Sequence, residues 1–457
     1  MISLRNSCTG LRPVHFFQKL SGVAIGLMVA AAPLAAVPAG AAPRLAQPAL
    51  GTGVGAFYNA RNGAPLWFSA TSGGAAQALV EQLKSARTDG LDPQRYGVDA
   101  LDNALREAAG GKRKAVQRAD AMLSQAFVAY VSDLEQAPDL GIIYVDPQLK
   151  RSTPTASAIL GQAAAASSLE DYVRNFGWMN PIYADLRRAL VTHQYASDHE
   201  RELLELNLER ARTLPSGKGR FVVVNAAEQR LYMWEDGRAI DSMRVVVGKP
   251  KYPTPLMAAY IRFASLNPYW FVPPDLAAER IAPNVLKRGL KYLDELGYQV
   301  LSDWSPNAAI IDPKTIDWKA VAEGRTEIMI RQQPGPHNSM GRIKFMFPNS
   351  EGVYLHDNPE RELFEQAARL YSGGCVRLED AWRLSRWLFG RELTWEGAGA
   401  EEPVALNPPV PVYITYLTAM PSDDGTSIAY FDDVYGRDKA KLATVGSTSG
   451  GVASATR

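Results

Sequence analysis

The chain has 457 residues, enough for two or three domains at roughly 100–200 residues each. With 46% hydrophobic and 21% charged residues it has the makeup of a globular protein, not of a disordered one. Its 49 Lys and Arg against 48 Asp and Glu leave a formal net charge of +1, so no basic field argues for nucleic acid, and two cysteines exclude both a disulfide scaffold and a multi-cysteine zinc site.

Residues 1–41 contain Arg5, Arg12 and Lys19 and no acidic residue, then an alanine-rich apolar run from Val23 to Val37, then Ala39-Gly40-Ala41. This pattern predicts a secretory signal peptide over 1–41, cleaved after Ala41. The alternative, a retained membrane anchor, is disfavoured because the run is short for a spanning helix. No later stretch of 18 apolar residues occurs, so the exported chain is expected to have no stable transmembrane span. Cleavage removes three basic residues, taking the net charge from +1 to −2, and removes Cys8, leaving Cys375 as the sole thiol. A lone cysteine in an exported protein cannot form an internal disulfide; it is either a small buried hydrophobe or a working thiol.

Residues 42–56 are rich in Pro, Ala and Gly and predict a linker. From 57 to 216 the apolar spacing is helical, with amphipathic stripes over 75–86, 122–134, 168–176 and 199–212. These read as packing, and no chemistry is visible between 57 and 215. At Gly217 the period changes to two. Residues 220–225, 229–234 and 239–247 predict strands, with Asp236-Gly237 as a hairpin turn, and 342–347 alternates again. Val412–Thr418 and Thr426–Phe431 predict a closing hairpin across Asp424-Gly425. The chain is therefore expected to be α+β, with a helical scaffold domain over 57–216 and a strand-dominated, β-sandwich-like domain over 217–438. A partly helical insertion over 268–335, helical for example at 277–286, would serve as a lid. The last residues, 439–457, are small and polar and predict a disordered tail.

The chemistry concentrates around Cys375. The sequence runs Tyr354-Leu355-His356-Asp357-Asn358-Pro359, then a piece expected to be helical as far as Leu370, then Ser372-Gly373-Gly374-Cys375-Val376-Arg377. Ala381, Leu384, Ser385 and Leu388 then share one helical face ending at Gly390. Cys375 is thus expected in a glycine-rich turn feeding a helix, whose dipole and exposed N–H groups would favour a thiolate and an oxyanion. Five histidines exist: His15 leaves with the signal, His193 and His199 fall in the helical region, and His337 and His356 remain. His356 ends an apolar run 19 residues before the cysteine and is the better candidate base. A zinc site from His337, His356, Asp357 and Cys375 is conceivable on ligand type, but the spacing matches no known pattern.

His356, a 15-residue spacer and Ser372-Gly373-Gly374-Cys375-Val376-Arg377 resemble the active-site signature of YkuD-type L,D-transpeptidases. The flanks extend the resemblance: Gly248-Lys249 with Thr254-Pro255, Asn267-Pro268-Tyr269-Trp270, Gly335-Pro336-His337-Asn338, Gly341 to Asn349, and Tyr435-Gly436-Arg437-Asp438. They resemble the large, YcbB-like branch, and Phe57-Tyr58 through Leu91-Asp92-Pro93 is similar to its N-terminal scaffold region. Two departures stand out. Gly373 occupies a position where many members carry histidine. Only about ten residues separate Thr192 from the segment at Leu206, too few for the peptidoglycan-binding module that the branch usually inserts there.

The resemblance implies a periplasmic, cell-envelope enzyme acting on peptidoglycan stem peptides, with a tetrapeptide donor and a diamino-acid acceptor. Cys375 would be the nucleophile and His356 the acid–base. Gly374 and Cys375 would donate backbone N–H groups to the oxyanion, and Asp357 would orient the imidazole through its backbone carbonyl. Arg377 would pair a substrate carboxylate or hold the turn, while Tyr354, Ser372, Asn338, Lys344 and Trp270 would line the site. The implied product is a 3→3 cross-link made through a thioester. The family needs no metal or cofactor, and carbapenem β-lactams would be covalent inhibitors. Alternatives are an L,D-carboxypeptidase passing the same acyl-enzyme to water, exchange with free D-amino acids, and a non-catalytic envelope protein that binds stem peptides.

Overall fold

A computed structural model describes residues 52–449, except 137, 306, 396–400 and 423. The predicted signal peptide and most of the predicted linker lie outside the described residues. The last linker residues, 52–56, are instead helical, within Thr52–Ala60. Val54 and Phe57 bury there against the helical core, and Gly53 sits so close to Ala156 that an added Cβ would stand 2.9 Å from the alanine Cβ.

Among the described residues, eight α-helices build the N-terminal region: Thr52–Ala60, Ala75–Lys84, Val98–Ala109, Arg113–Glu135, Ala156–Ala164, Leu169–Arg174, Pro181–Val191 and Asp198–Ala211. Their starts follow local chemistry. Thr155, Ser168, Asn180 and Ser197 each stand just before a helix and accept an N–H from the residue three positions on. Such caps contribute about 0.5–2 kcal/mol each.

The strands, in chain order, are β1 (Ile143–Tyr144), β2 (Arg220–Asn225), β3 (Arg230–Glu235), β4 (Arg238–Gly248), β5 (Met257–Leu266), β6 (Trp270–Val272), β7 (Tyr298–Leu301), β8 (Ile310–Ile311), β9 (Met329–Gln332), β10 (Ile343–Met346), β11 (Leu355–His356), β12 (Leu370–Ser372), β13 (Val376–Leu378), β14 (Glu402–Thr415), β15 (Ala419–Pro421) and β16 (Ile428–Tyr430). The β3–β4 hairpin turns at Asp236 and Gly237, both at positive φ (45° and 85°), as a two-residue turn between right-twisted strands requires. The main sheet runs β1-β5-β10-β11-β13-β4-β3-β2-β14, and β14 pairs again with β5. The two layers expected of a sandwich are therefore joined at both sides. Val222, Val245, Val247, Ile261, Phe345, Leu355, Val376 and Ile414 fill the interior so formed.

The helical region is welded to this sheet. Its apolar core runs on into Phe221, Val223, Trp234, Tyr413 and Leu417 of the strand-rich region, and β1 pairs in parallel with β5.

Three expectations are corrected. Val412–Thr418 does not form a hairpin with 426–431: β14 lies between β2 and β5, and the hairpin is β15–β16. The segment from Pro359 to Leu370 is not a helix but one 3-10 turn, Arg361–Glu365, because 370–372 is drawn out to pair with β4. The tail is helical over Arg437–Ser449, anchored by Arg210–Asp438 at 2.6 Å, and only its end lies outside the described residues. The insertion over 268–335 carries, besides helices such as Ala282–Arg288, its own sheet in the order β6-β9-β7-β8, with a separate core around Trp270, Val272, Ile281 and Ile330.

Candidate active site

Four strands bring the candidate residues together by register. Lys344 on β10 pairs with His356 on β11, and His356 pairs with Arg377 on β13. Paired residues point to the same face of a sheet. Their neighbours Phe345, Leu355, Val376 and Leu378 point the other way, into the apolar interior. Lys344, His356 and Arg377 thus form one row, continued on β5 by Ser265, the partner of Lys344. One step back along the strands, the Val376 N–H donates to the Tyr354 carbonyl at 3.0 Å, so Tyr354 lies alongside Cys375 on the same face. The 19-residue spacing between His356 and Cys375 is thereby closed to adjacent parallel strands, about 5 Å apart.

His356 is 1% exposed. Its Nδ1 lies 2.6 Å from the Asp357 backbone oxygen, which can only accept, so Nδ1 carries the proton and Nε2 is left with the lone pair. The Asp357 carboxylate faces elsewhere: Oδ2 accepts the Arg342 N–H at 2.9 Å and Oδ1 meets Arg361 at 2.8 Å. Gly341, at φ +64, packs against that carboxylate, and a Cβ there would stand 2.4 Å from Oδ2. Burial, with the Arg377 and Lys344 cations adding to it, pushes the imidazole down to about 3 against the pull of the Asp357 and Met340 carbonyls. The ring is neutral at any physiological pH.

Cys375 follows a turn in which Gly374 takes φ +115, reachable without strain only by glycine. The residue is half-buried, and burial pushes the thiol up from its ordinary value, opposed by the Tyr354 N–H and by Arg377 and Lys344. The Sγ lies 3.6 Å from the Gly352 carbonyl, and among the described residues no hydrogen bond joins it to His356. The resting pair is therefore thiol and neutral imidazole, not an ion pair.

This corrects the expectation of a helix dipole at the sulfur. Cys375 is followed by strand β13, whose Val376 and Leu378 alternate into the core, and the next helix starts only at Ala381, capped by Asp380. The Gly374 N–H is also not an open oxyanion donor: it donates to Ser372 Oγ at 3.1 Å, and that hydroxyl donates on to the Cys375 carbonyl at 2.5 Å. Ser372 thus ties the turn and is 2% exposed.

Other candidates for substrate contact are spent on the chain itself. Arg377 bonds Glu360 at 2.6 Å and Asn358 at 3.3 Å, and Lys344 bonds Glu401 at 2.7 Å and the Tyr269 carbonyl at 3.3 Å. Asn338, 1% exposed, gives its amide to the carbonyls of Pro268, Gln332 and Gln333 and so pins the two ends of the insertion together. Trp270 belongs to the insertion's own core, because β6 turns Trp270 and Val272 inward and Phe271 outward. The half-buried Tyr354 ring lies 6.0 Å from the Lys344 ammonium.

Several neighbours carried no sequence signal as site residues. The Gly352 and Met340 carbonyls act through the backbone, which residue type does not reveal. Leu276 of the insertion lies over the turn, 3.1 Å from where a Gly373 Cβ would be, so glycine there makes room for the insertion. Glu279 meets Lys251, Tyr252 and, at 3.9 Å, Lys249, clipping the insertion to the loop after β4. Among the described residues no group of three or more His, Cys, Asp or Glu could hold a metal ion. No helix of the described residues is long and apolar enough to cross a membrane.

Residues 219–412 match the L,D-transpeptidase catalytic domain model, YkuD, and residues 52–190 match the Scaffold domain model. A Haemophilus influenzae protein, itself only provisionally assigned as an L,D-transpeptidase, is 26% identical over 395 residues, covering 84% of this chain and 77% of its own. Among solved structures, an L,D-transpeptidase from Mycobacterium smegmatis is 14% identical with a TM-score of 0.22, covering 44% of this chain and 59% of that one. The Ldtfm–avibactam carbamoyl enzyme is 13% identical with a TM-score of 0.21, covering 48% and 63%. The chain thus spans about three fifths of the length of these solved relatives.

Proposed function

We propose that this chain, which carries an L,D-transpeptidase catalytic domain behind a scaffold domain, forms 3→3 cross-links between peptidoglycan stem peptides through a Cys375 thioester. The observation that supports this reading most is the pairing of β11 with β13, in which His356 lies opposite Arg377, two residues beyond Cys375 on the adjacent strand. The neutral imidazole, with Nε2 unprotonated, takes the thiol proton as sulfur attacks the carbonyl between the third residue and D-Ala. Because the thiol is held up and the imidazole down, that transfer is coupled to C–S bond formation, when negative charge moves onto the carbonyl oxygen. The C–N bond then breaks, and His356 returns the proton to the departing D-Ala amine. The amine of an acceptor stem attacks the thioester, its proton passes through His356 to sulfur, and the free thiol is restored.

The predicted signal peptide would deliver the enzyme to the periplasm, where its substrate lies. Tyr354 faces the donor peptide in this reading. Arg377, Lys344, Ser372 and Asn338 hold the site's shape. The test is mass analysis of muropeptides after incubating the full chain, wild type and Cys375→Ala, with tetrapeptide donor and acceptor. Cross-linked dimers from the wild type alone support transpeptidation, and tripeptide alone assigns hydrolysis. A carbapenem should add its mass to wild type and not to Cys375→Ala; its failure to acylate folded, reduced wild type would overturn the reading.

A further inference from the structure

Thr254 stands on the loop that follows β4 and is fully buried. Its hydroxyl sits between two backbone groups: it accepts the Gly248 N–H at 2.9 Å and donates to the Gly374 carbonyl at 2.9 Å. An amide can only donate and a carbonyl only accept, so the direction of both bonds is forced. The loop is fastened from the other side as well. Tyr435 donates its hydroxyl hydrogen to the Gly248 carbonyl at 2.7 Å and accepts the Thr254 N–H at 3.3 Å, and Arg437 donates to the Thr254 carbonyl at 3.0 Å. The fold of this loop is tight: a Cβ on Gly248 would lie 2.0 Å from the Tyr252 carbonyl oxygen.

A peptide unit is planar and trans, so the Gly374 C=O and the Cys375 N–H lie in one plane and point in opposite directions. Whatever holds that oxygen aims that hydrogen. Gly374 lacks a Cβ to stiffen the turn, so the plane needs an external hold. With the Gly374 N–H already engaged by Ser372, the Cys375 N–H is the amide of the turn that can serve the reacting carbonyl.

We propose that Thr254 is a positioning residue for the acylation step: by gripping the Gly374 carbonyl, its hydroxyl fixes the Gly374–Cys375 peptide plane and aims the Cys375 N–H at the oxyanion. The role rests on the acyl-enzyme reading above. Tyr435 supports it one step further out.

The test compares full-length wild type, Thr254→Val, Thr254→Ser and Tyr435→Phe. Four quantities are read: the carbapenem acylation rate, kcat and KM on a tetrapeptide, iodoacetamide alkylation of Cys375, and thermal unfolding. Alkylation needs the sulfur but no oxyanion donor. Thr254→Val should lose about 10- to 100-fold in acylation, as loss of a well-aimed donor does, in kcat and not KM, with alkylation unchanged. Thr254→Ser should stay within a few-fold of wild type. Folded Thr254→Val that acylates at the wild-type rate overturns the proposal, and so does parallel loss of acylation and alkylation, which marks a merely structural role. Should Thr254→Val not fold, Tyr435→Phe decides: a several-fold acylation loss at unchanged alkylation supports the role, and an unchanged rate overturns it. Wild type that alkylates but is never acylated instead overturns the functional reading on which the role depends.

Discussion

The two halves of the molecule both bury charge, and they do so for opposite ends. In the helical region Asp89, with a fully buried side chain, is met by Arg187 at 2.7 and 3.0 Å, by Tyr130 at 2.6 Å and by Tyr183 at 2.5 Å. Every lone pair it offers is answered from within the chain. Burial and then the Asp89 charge push both phenols well above their ordinary range, so both tyrosines stay protonated. In the strand-rich region Lys344 and Arg377 are also buried and also paired, but between them lie a neutral imidazole and a protonated thiol that no counter-charge completes. The first arrangement is closed and locks helices together. The second holds a neutral imidazole near a half-buried thiol with no ion pair between them.

The sharpest way to break this contrast is at sulfur. Cys375→Ala should reduce turnover by at least about 1,000-fold while leaving the melting temperature within a few degrees of wild type. The same thiol in wild type should alkylate slowly at neutral pH and faster as pH rises through and beyond the ordinary thiol range. A rate already flat across pH 5–8 would mean a preformed thiolate and would refute the neutral pair.

Next comes the closed cluster. Asp89→Ala strands a buried guanidinium and two phenols, and should cost about 3–5 kcal/mol of stability, seen as an early unfolding transition in calorimetry. Below that transition the carbapenem acylation rate should be unaffected. Equal losses in both would show that the halves do not divide the labour as described.

His356 gives an intermediate effect. Its folded pKa, about 3, lies below the unfolded value near 6.5, so the unfolded chain binds the extra proton first as the solution is acidified. Stability from this group is complete above pH 6.5 and falls by about 1.4 kcal/mol per pH unit as pH drops towards 3. Urea titrations at pH 7, 5.5 and 4 should show that slope, and His356→Asn should flatten it.

The smallest change is expected from Glu279→Gln. It weakens the exposed clip between the insertion and Lys249, Lys251 and Tyr252, and should alter acylation by no more than a few-fold, with the effect shrinking at high salt. A loss as large as that of Cys375→Ala would move Glu279 into the chemistry.

The sequence made some of this legible and hid the rest for identifiable reasons. The helical stripes over 75–86, 122–134, 168–176 and 199–212 and the Asp236-Gly237 hairpin are local events, written in the residues that carry them out. Strand β10 shows its alternation because one face is apolar, whereas β2 shows a continuous β-branched run because both its faces meet apolar cores. By contrast β1 and β8 are only two residues long, too short to show a pattern, and the partner of β1 lies far off in sequence on β5. Within the site, the spacing of His356 and Cys375 singled out both residues. Their protonation was hidden, because burial and cations from two other strands set it. For Arg377 the sequence left substrate pairing and holding the turn both open, while Ser372 and Asn338 were expected to line the site. The polar residues that bind a ligand are the same types that brace a loop, and only distances such as Arg377 to Glu360 at 2.6 Å tell the two apart.

The strand Ile143–Tyr144 has a practical consequence for anyone dissecting this chain. It is borrowed: the helical half lends it to the neighbouring half, together with Asp146, whose carboxylate accepts the Tyr260 N–H at 2.7 Å and meets Arg262. A fragment starting near residue 217 would have to expose a raw margin of β5 and strand an arginine. Such a truncation should aggregate through that margin, and an inactive fragment would say nothing about the whole enzyme.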